Sequence, residues 1–241
     1  MFSIVSDTKK GQCMIADQDI KKGSIISRQD PILFTGFKDV CAYCLVPLSR
    51  KKLVCGSCKL EYCCEECRHL QSECNKIQSD PYTILLARAL KKTDQLKELS
   101  ANGKEIPDVE GIYQRVHHIY KKEPVTLIDF EEFKRLSKTI STNLIGITRD
   151  LVVVGVGIYP TASFMNHDCR ENTLLVFKGK EMCIKASRDI RKGEEITTRY
   201  LPIYKNRKSR MEEFRNWNFK CTCELCLLGV RDARDLVKVS F

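Results

Sequence analysis

The sequence predicts a mixed, β-rich α+β fold that carries several zinc-binding segments. Short apolar runs bounded by turn residues predict strands, and the clearest is Leu151 to Ile158. Two stretches with helical spacing of apolar residues, Ser79 to Lys92 and a second from about Asp129, predict helices between those strands. The chain has 14 cysteines, many of them in closely spaced groups, which indicates bound metal rather than disulfides.

Composition limits the classes of protein that fit. A chain of 241 residues can bury one core, or one core with small satellites. No run approaches the roughly 18 apolar residues of a membrane span, and the polar start from Met1 to Lys10 does not fit a signal peptide. Many cysteines without an export signal favour a reducing compartment. The net charge of +10 fits a solvated surface, and without basic–aromatic interleaving direct nucleic-acid binding is not expected.

Turn residues and helix caps locate the remaining elements. Lys22-Gly23 predicts a turn before a strand, and Lys178-Gly179-Lys180 predicts the turn of a hairpin. Asp80 and Pro81 fit the cap and first turn of the first helix. Its predicted apolar face comprises Tyr82, Leu85, Leu86, Ala89 and Leu90. The second helix is predicted to bury one face formed by Phe130, Phe133, Leu136 and Ile140.

Two groups of cysteines have the spacing of zinc ligands. The first contains Cys41-x2-Cys44, Cys55-x2-Cys58 and Cys63-x3-Cys67, and two residues between thiolates let both bind one tetrahedral ion. The second contains Cys221, Cys223 and Cys226, which supply three ligands, so a fourth must come from elsewhere in the chain.

Three motifs in a fixed order carry a resemblance to a known family. They are Asn166-His167-Asp168-Cys169 with Asn172, then Gly193-Glu194-Glu195-Ile196 ending at Tyr200, then Cys221-x-Cys223-x2-Cys226. In this order they resemble the SET-domain protein lysine methyltransferases. The block from Cys41 to Cys74 looks like a MYND zinc module, so the chain resembles the SET-and-MYND family. Many members continue into a C-terminal helical domain, and a short form without it implies a more open substrate cleft.

The resemblance implies a β-rich SET fold with an inserted MYND module and a zinc-bound post-SET tail. In this fold the segment matching Phe164 to His167 is threaded through a loop around Tyr200 to form a pseudoknot. The expected boundaries are residues 1–38 for the N-terminal SET part, 39–78 for MYND, 79–140 for a helical insert, 141–203 for the SET core and 204–241 for post-SET.

The activity that the resemblance implies is methylation of protein lysine with S-adenosylmethionine. Tyr200 matches the catalytic tyrosine and would orient the amine and the methyl group, whereas Glu194 and Glu195 would make fold contacts rather than act as acid and base. Trp217 matches a position in the lysine channel where relatives often have tyrosine, so the number of methyl groups added stays open. The residues expected to bind the cofactor are Lys10, Gln12, Asn143, Asn166, His167, Tyr200 and Phe219.

The family pattern also implies three zinc sites of four ligands each. One would use Cys41, Cys44, Cys63 and Cys67, and a second would use Cys55, Cys58, His69 and Cys74. Four residues separate His69 from Cys74 where the family usually has three, which leaves Cys64 as an alternative to His69 in that second site. Cys169 would complete the third site with Cys221, Cys223 and Cys226.

Among the expected cofactor residues, Asn143 also has a simpler interpretation, as a residue that ends a helix or forms a turn.

The expected partners are a lysine in a protein or histone tail and a peptide at the MYND module, with the protein in the cytoplasm, the nucleus or both. One alternative belongs to a different class of function. A SET core that no longer catalyses would leave a zinc scaffold for protein–protein interaction. The presence of Tyr200, Asn166 and His167 together favours the enzyme.

Overall fold

The computed structural model describes residues 1–37, 39–56, 59–70, 80–121, 127–201 and 205–228. Its strands are β1 (Phe2–Asp7), β2 (Gly11–Ala16), β3 (Ile25–Gln29), β4 (Leu33–Gly36), β5 (Leu53–Val54), β6 (Glu61–Tyr62), β7 (Leu144–Arg149), β8 (Val152–Ile158), β9 (Thr173–Lys178) and β10 (Glu181–Ala186). Its helices are α1 (Glu65–Leu70), α2 (Pro81–Ala89), α3 (Thr93–Leu96), α4 (Val109–Tyr120), α5 (Phe130–Asn143), α6 (Pro160–Ser163), α7 (Arg207–Phe214) and α8 (Glu224–Leu227), with a 3-10 helix at Arg215–Trp217. In the described part of the chain, no helix has the length and apolar character needed to cross a membrane.

The chain forms two compact units. The first comprises Met1–Gln29, Thr161–Val176 and Cys183–Phe241, and the second comprises Asp30–Pro160 and Phe177–Met182. The described strands form four small sheets, ordered β1-β2, β3-β10-β9, β4-β8-β7 and β5-β6. The short strands, small sheets and separate helices agree with the β-rich α+β class predicted from the sequence.

In the first unit, a hairpin and a later segment build the edge on which the candidate site lies. Strands β1 and β2 pair antiparallel from Phe2 opposite Ala16 to Asp7 opposite Gly11. Gly11 has a φ of +77°, a left-handed conformation that explains why glycine stands at this turn. The segment after Gly193 then joins β2, because the backbone N–H of Ile196 donates to the carbonyl of Met14 at 2.7 Å.

In the second unit, the predicted apolar strand lies at the centre of its sheet. Strand β8 pairs antiparallel with both β4 and β7. The predicted cap of α2 is present, because the Asp80 carboxylate accepts from the backbone N–H groups of Tyr82 and Thr83. At the start of α5 the structure adds a second cap, in which Asp129 accepts from the backbone N–H of Glu132. One detail of α2 differs from the prediction. Tyr82 is 41% exposed, whereas every residue from Thr83 to Ala89 is buried, because α4, α5 and β4 all pack against this helix.

The turn between β9 and β10 rests on the first cysteine pair, within the second unit. The Lys180 ammonium lies 4.1 Å from the ring centroid of Tyr43, the residue before Cys44. Gly179 has a φ of +59°, and a Cβ at this position would lie 2.7 Å from the carbonyl oxygen of Cys44. The segment that carries Cys41 and Cys44 is therefore contacted by a hairpin that lies more than a hundred residues further along the chain.

Candidate active site and metal sites

The Asn-His segment and the segment before Tyr200 lie side by side in the first unit. The backbone N–H of Thr198 donates to the carbonyl of Asn166 at 3.0 Å, and the N–H of Asp168 donates to the carbonyl of Thr198 at 3.0 Å. His167 and Thr198 thus form a parallel bridge. Two segments separated by some thirty residues are joined here by their backbones, as the threaded arrangement requires.

Two further contacts hold these segments together. Asn172 is buried, and its amide donates to the backbone carbonyl of Glu195 at 2.8 Å and accepts from the N–H of Thr197 at 2.8 Å. Arg199 and Glu171 form a bidentate ion pair in which Nε and Nη2 donate to the two carboxylate oxygens. Sequence reasoning missed the roles of Glu171 and Arg199, because nothing local in either segment predicts that they meet.

Charged and amide groups gather where the resemblance expects the cofactor. The Lys10 ammonium pairs with the Glu195 carboxylate at 2.5 Å. The Asn166 amide donates to the same carboxylate at 2.9 Å and to the backbone carbonyl of Gln12 at 3.0 Å. Glu195 was expected to make fold contacts, and it does so directly with two of the expected cofactor residues. This mixture of a cation, an anion and an amide suits the zwitterionic end of S-adenosylmethionine.

Tyr200 lies in an aromatic group at the same place. Its hydroxyl donates to the backbone carbonyl of Met165 at 2.8 Å, and burial raises its pKa to about 12. Its ring centroid lies 5.7 Å from that of Trp217 and 6.1 Å from that of Phe219. The phenol therefore stays protonated at neutral pH, so it can donate and accept hydrogen bonds but cannot serve as an anionic base.

His167 contacts both Tyr200 and a cysteine. Its Nδ1 accepts the backbone N–H of Tyr200 at 3.0 Å, and its Nε2 lies 3.3 Å from the Sγ atom of Cys169. The ring packs on Phe214 with centroids 4.6 Å apart. Burial lowers the pKa of His167 to about 4, so the imidazole is neutral at physiological pH.

Four cysteines meet at the predicted post-SET metal site. The sulfur atoms of Cys169, Cys221, Cys223 and Cys226 all lie within 4.8 Å of one another. A tetrahedral zinc with bonds of about 2.3 Å places sulfurs roughly 3.8 Å apart, and Cys169 and Cys226 are 3.7 Å apart. Hydrogen bonds from Cys169 and Cys221 lower the pKa of Cys223, whereas the neighbouring sulfurs raise the pKa of Cys169. These donors fit a zinc ion.

A second group of four cysteines lies in the other unit. Cys41, Cys44, Cys63 and Cys67 also have sulfur atoms within 4.8 Å of one another. The distance from Cys63 is 3.7 Å to Cys44 and 3.6 Å to Cys67. Both values fit the tetrahedral spacing, so this group can also hold a zinc ion.

The ligand set expected for the second MYND site falls partly outside the described residues. Cys58 and Cys74 lie outside them, so the site proposed for Cys55, Cys58, His69 and Cys74 stays a prediction. His69 is largely exposed, 3.8 Å from Glu65, and Cys64 has its sulfur 3.7 Å from Cys63.

Asn143 ends α5 in the second unit. Its amide nitrogen donates to the carbonyls of Ser100 and Thr139, both at 2.8 Å. Both amide hydrogens are thus used by the fold, as the simpler interpretation of this residue expects. Its assignment to the cofactor stays a prediction.

The family model described as "SET domain" matches residues 11–201 of this chain. The match covers most of the sequence, from the turn at Gly11 to the residue after Tyr200. The chain therefore belongs to the SET-domain family, as the motifs predicted.

Among curated proteins, the chain is similar to two human enzymes. It is 28% identical over 263 residues to the histone-lysine N-methyltransferase SMYD3 of Homo sapiens, covering 93% of this chain and 61% of the relative. It is 25% identical over 228 residues to the N-lysine methyltransferase SMYD2 of Homo sapiens, covering 80% of this chain and 51% of the relative. The chain thus spans less than two thirds of the length of these relatives, and the likeness extends beyond the SET core.

Solved structures share the fold at lower sequence identity. A crystal structure of the SET domain of LSMT bound to lysine and AdoHcy aligns with a TM-score of 0.52 and 11% identity, covering 85% of this chain and 50% of that one. A structure of Rubisco LSMT bound to AdoMet aligns with a TM-score of 0.51 and 12% identity, covering 92% and 52%. The predicted SET fold is confirmed by this likeness and by the family match.

Proposed function

We propose that this protein transfers a methyl group from S-adenosylmethionine to the amine of a lysine side chain in another protein. One observation carries the proposal: Tyr200, His167, Asn166 and Lys10 come together in the first unit, joined by backbone and side-chain contacts. Membership of the SET family and the similarity to two lysine methyltransferases support it. Bound S-adenosylmethionine would supply an electrophilic sulfonium methyl group.

Different residues of the site are assigned to position different parts of the cofactor and the substrate amine. We assign Lys10, Gln12 and Asn166 to the amino-acid end of the cofactor, where charge and amide groups meet, and Phe219 to the flat adenine ring. The pKa of Tyr200 near 12 keeps its hydroxyl neutral, so we assign it to orientation of the methyl group and the incoming amine. Burial of a lysine amine favours its uncharged, nucleophilic form. Alignment alone can contribute roughly 7–11 kcal/mol in well-ordered cases.

The finer parts of the proposal concern partners and location. The name of the human relative SMYD3 supports a histone tail as one substrate, and other protein lysines remain candidates. A peptide partner at the MYND module and a location in the cytoplasm, the nucleus or both complete the proposal. About three zinc ions would hold the two cysteine-rich segments.

Two measurements on the purified full chain test the function. Calorimetry should detect S-adenosylmethionine binding, and labelled cofactor should place label on lysines of cell proteins, mapped by mass spectrometry. Asn166→Ala should weaken cofactor binding, and Asn102→Ala in the other unit is its matched control. Failure of the folded, zinc-loaded protein to bind the cofactor would refute the enzyme and favour the scaffold.

A further inference from the structure

One imidazole lies between the post-SET cysteines and Tyr200. His167 Nδ1 is 3.0 Å from the backbone nitrogen of Tyr200, and His167 Nε2 is 3.3 Å from the sulfur of Cys169. That sulfur belongs to the group of four that fits a zinc ion. The three residues thus form a continuous line of contacts from the metal site to the backbone of the candidate catalytic tyrosine.

The direction of both hydrogen bonds follows from the partners. A backbone N–H can only donate, so Nδ1 of His167 must accept from Tyr200. A neutral imidazole then carries its single hydrogen on Nε2, which is the nitrogen that faces Cys169. A zinc-bound thiolate keeps lone pairs that accept such a hydrogen. The tautomer with hydrogen on Nε2 is therefore assigned from the partners of the two ring nitrogens.

We propose that His167 is a positioning residue that couples the post-SET metal site to Tyr200. Its Nε2–H donates to the Cys169 thiolate and offsets part of the negative charge of a four-thiolate site. Its Nδ1 holds the backbone of Tyr200 in place. Hydrogen bonds to a ligand from outside the ligand shell commonly change metal affinity by roughly 10–100-fold.

Tyr200 is held at two points, so the coupling reaches its reacting group. The backbone nitrogen is held by His167, and the hydroxyl donates to the carbonyl of Met165 at 2.8 Å. Met165 lies two residues before His167, on the segment that leads to Cys169. Loss of the metal releases Cys169, and with it the segment that sets both contacts of Tyr200. The consequence for turnover rests on the proposed function, whereas the two hydrogen bonds do not.

Two substitutions separate the two hydrogen bonds. In His167→Asn, the amide oxygen lies near the place of Nδ1 and can still accept from Tyr200, but the side chain no longer reaches Cys169. In His167→Gln, the terminal amide nitrogen lies near the place of Nε2 and can still donate to the sulfur. Packing against Phe214 is reduced in both variants, so a purely structural role predicts the same effect for the two.

The hydrogen bond from His167 to the Cys169 sulfur is tested with cadmium in place of zinc. In 113Cd NMR of the full chain each site gives its own resonance, and Cys223→Ser assigns the post-SET resonance by removing it. His167→Asn should shift that resonance and weaken cadmium binding there by roughly 10–100-fold in chelator competition. His167→Gln should keep both the position of that resonance and the cadmium affinity of the parent chain. The resonance of the Cys41, Cys44, Cys63 and Cys67 site is the internal control and should not move.

The hydrogen bond from the Tyr200 backbone to His167 Nδ1 is tested by the backbone amide resonance of Tyr200. With the post-SET site saturated with cadmium, its proton should move to higher field in His167→Gln, which loses the acceptor, and should stay in place in His167→Asn. Equal responses of both probes to both variants, or no response in either, would overturn the coupling. Neither probe requires methyl transfer, so a protein that binds metal but does not methylate would refute the proposed function alone.

Discussion

At the scale of single residues, the site is organised by donors and acceptors rather than by an acid–base pair. Glu195 faces Lys10 and Asn166 and is occupied by both. Glu194 accepts from Asn172 and pairs with Arg188 at 2.6 Å. Both carboxylates are thus paired with cations and amides, and the neutral oxygen of Tyr200 is the group that we propose to orient the incoming amine.

Tyr200→Phe tests this assignment. The phenyl ring keeps the contacts with Trp217 and Phe219 but loses the hydrogen bond to the Met165 carbonyl, so the melting temperature should fall by only roughly 2–4 °C. The change removes only the hydroxyl, and misplacement of reacting groups by about 1 Å can lower a rate on the order of 100-fold. We expect intact cofactor binding, full zinc content and about 100-fold slower methylation of a protein substrate. Tyr113→Phe in α4 is the matched control, and unchanged turnover in Tyr200→Phe would leave Tyr200 as an ordinary core residue.

At the scale of elements, local sequence predicted which segments form, while the contacts between them depend on topology. Strand β8, the cap of α2, the approximate start of α5 and the β9–β10 hairpin follow from nearby residues, and all are present. The exposure of Tyr82 could not be predicted, because periodicity does not reveal that three elements enclose α2. Likewise, the pairing of Glu171 with Arg199 requires the crossing of two distant segments.

The hairpin turn at Gly179 gives a prediction at this scale. Gly179→Ala must adopt a left-handed φ and must also move the Cys44 carbonyl away. Gly23→Ala is the matched control, since its φ is +86° and the nearest atom lies at 4.0 Å. We expect Gly23→Ala to lower the melting temperature by roughly 2–4 °C, and Gly179→Ala by at least about twice that. Equal shifts of the melting temperature would contradict a close contact between the Gly179 turn and the Cys44 carbonyl.

The post-SET segment gives a second prediction. Cys223→Ser removes one of four sulfurs, so the metal at this site should be lost and the segment that carries Phe219 should loosen. Cofactor affinity should fall about tenfold or more, while the metal at Cys41, Cys44, Cys63 and Cys67 stays bound. Cys183→Ser is the control, because Cys183 belongs to neither group. Calorimetry with S-adenosylmethionine compares the variants, and parental affinity in Cys223→Ser would refute the role of the tail.

At the scale of the whole molecule, each of the two compact units contains one group of four cysteines among its described residues. Spacing alone predicted zinc ligands in the block that begins at Cys41, because its cysteines lie close together in sequence, whereas the family resemblance grouped Cys41 and Cys44 with Cys63 and Cys67. Cys169 lies 52 residues before Cys221, so no local spacing joins it to the others, and only the family resemblance pointed to it. The structure brings all four sulfurs together. Spacing predicts a metal site, whereas membership of a distant ligand depends on the fold.

Metal content provides the last prediction. Two groups of four sulfurs have zinc geometry among the described residues, and Cys55, Cys58 and Cys74 with either His69 or Cys64 would form a third site. We expect about three zinc ions per chain by elemental analysis of protein purified without chelators. Because metal binds the folded form, its removal should lower the melting temperature of the entire chain. Cys183→Ser should retain the full count, Cys223→Ser should lose one ion, and a count of none or one in the parent would contradict the assignment.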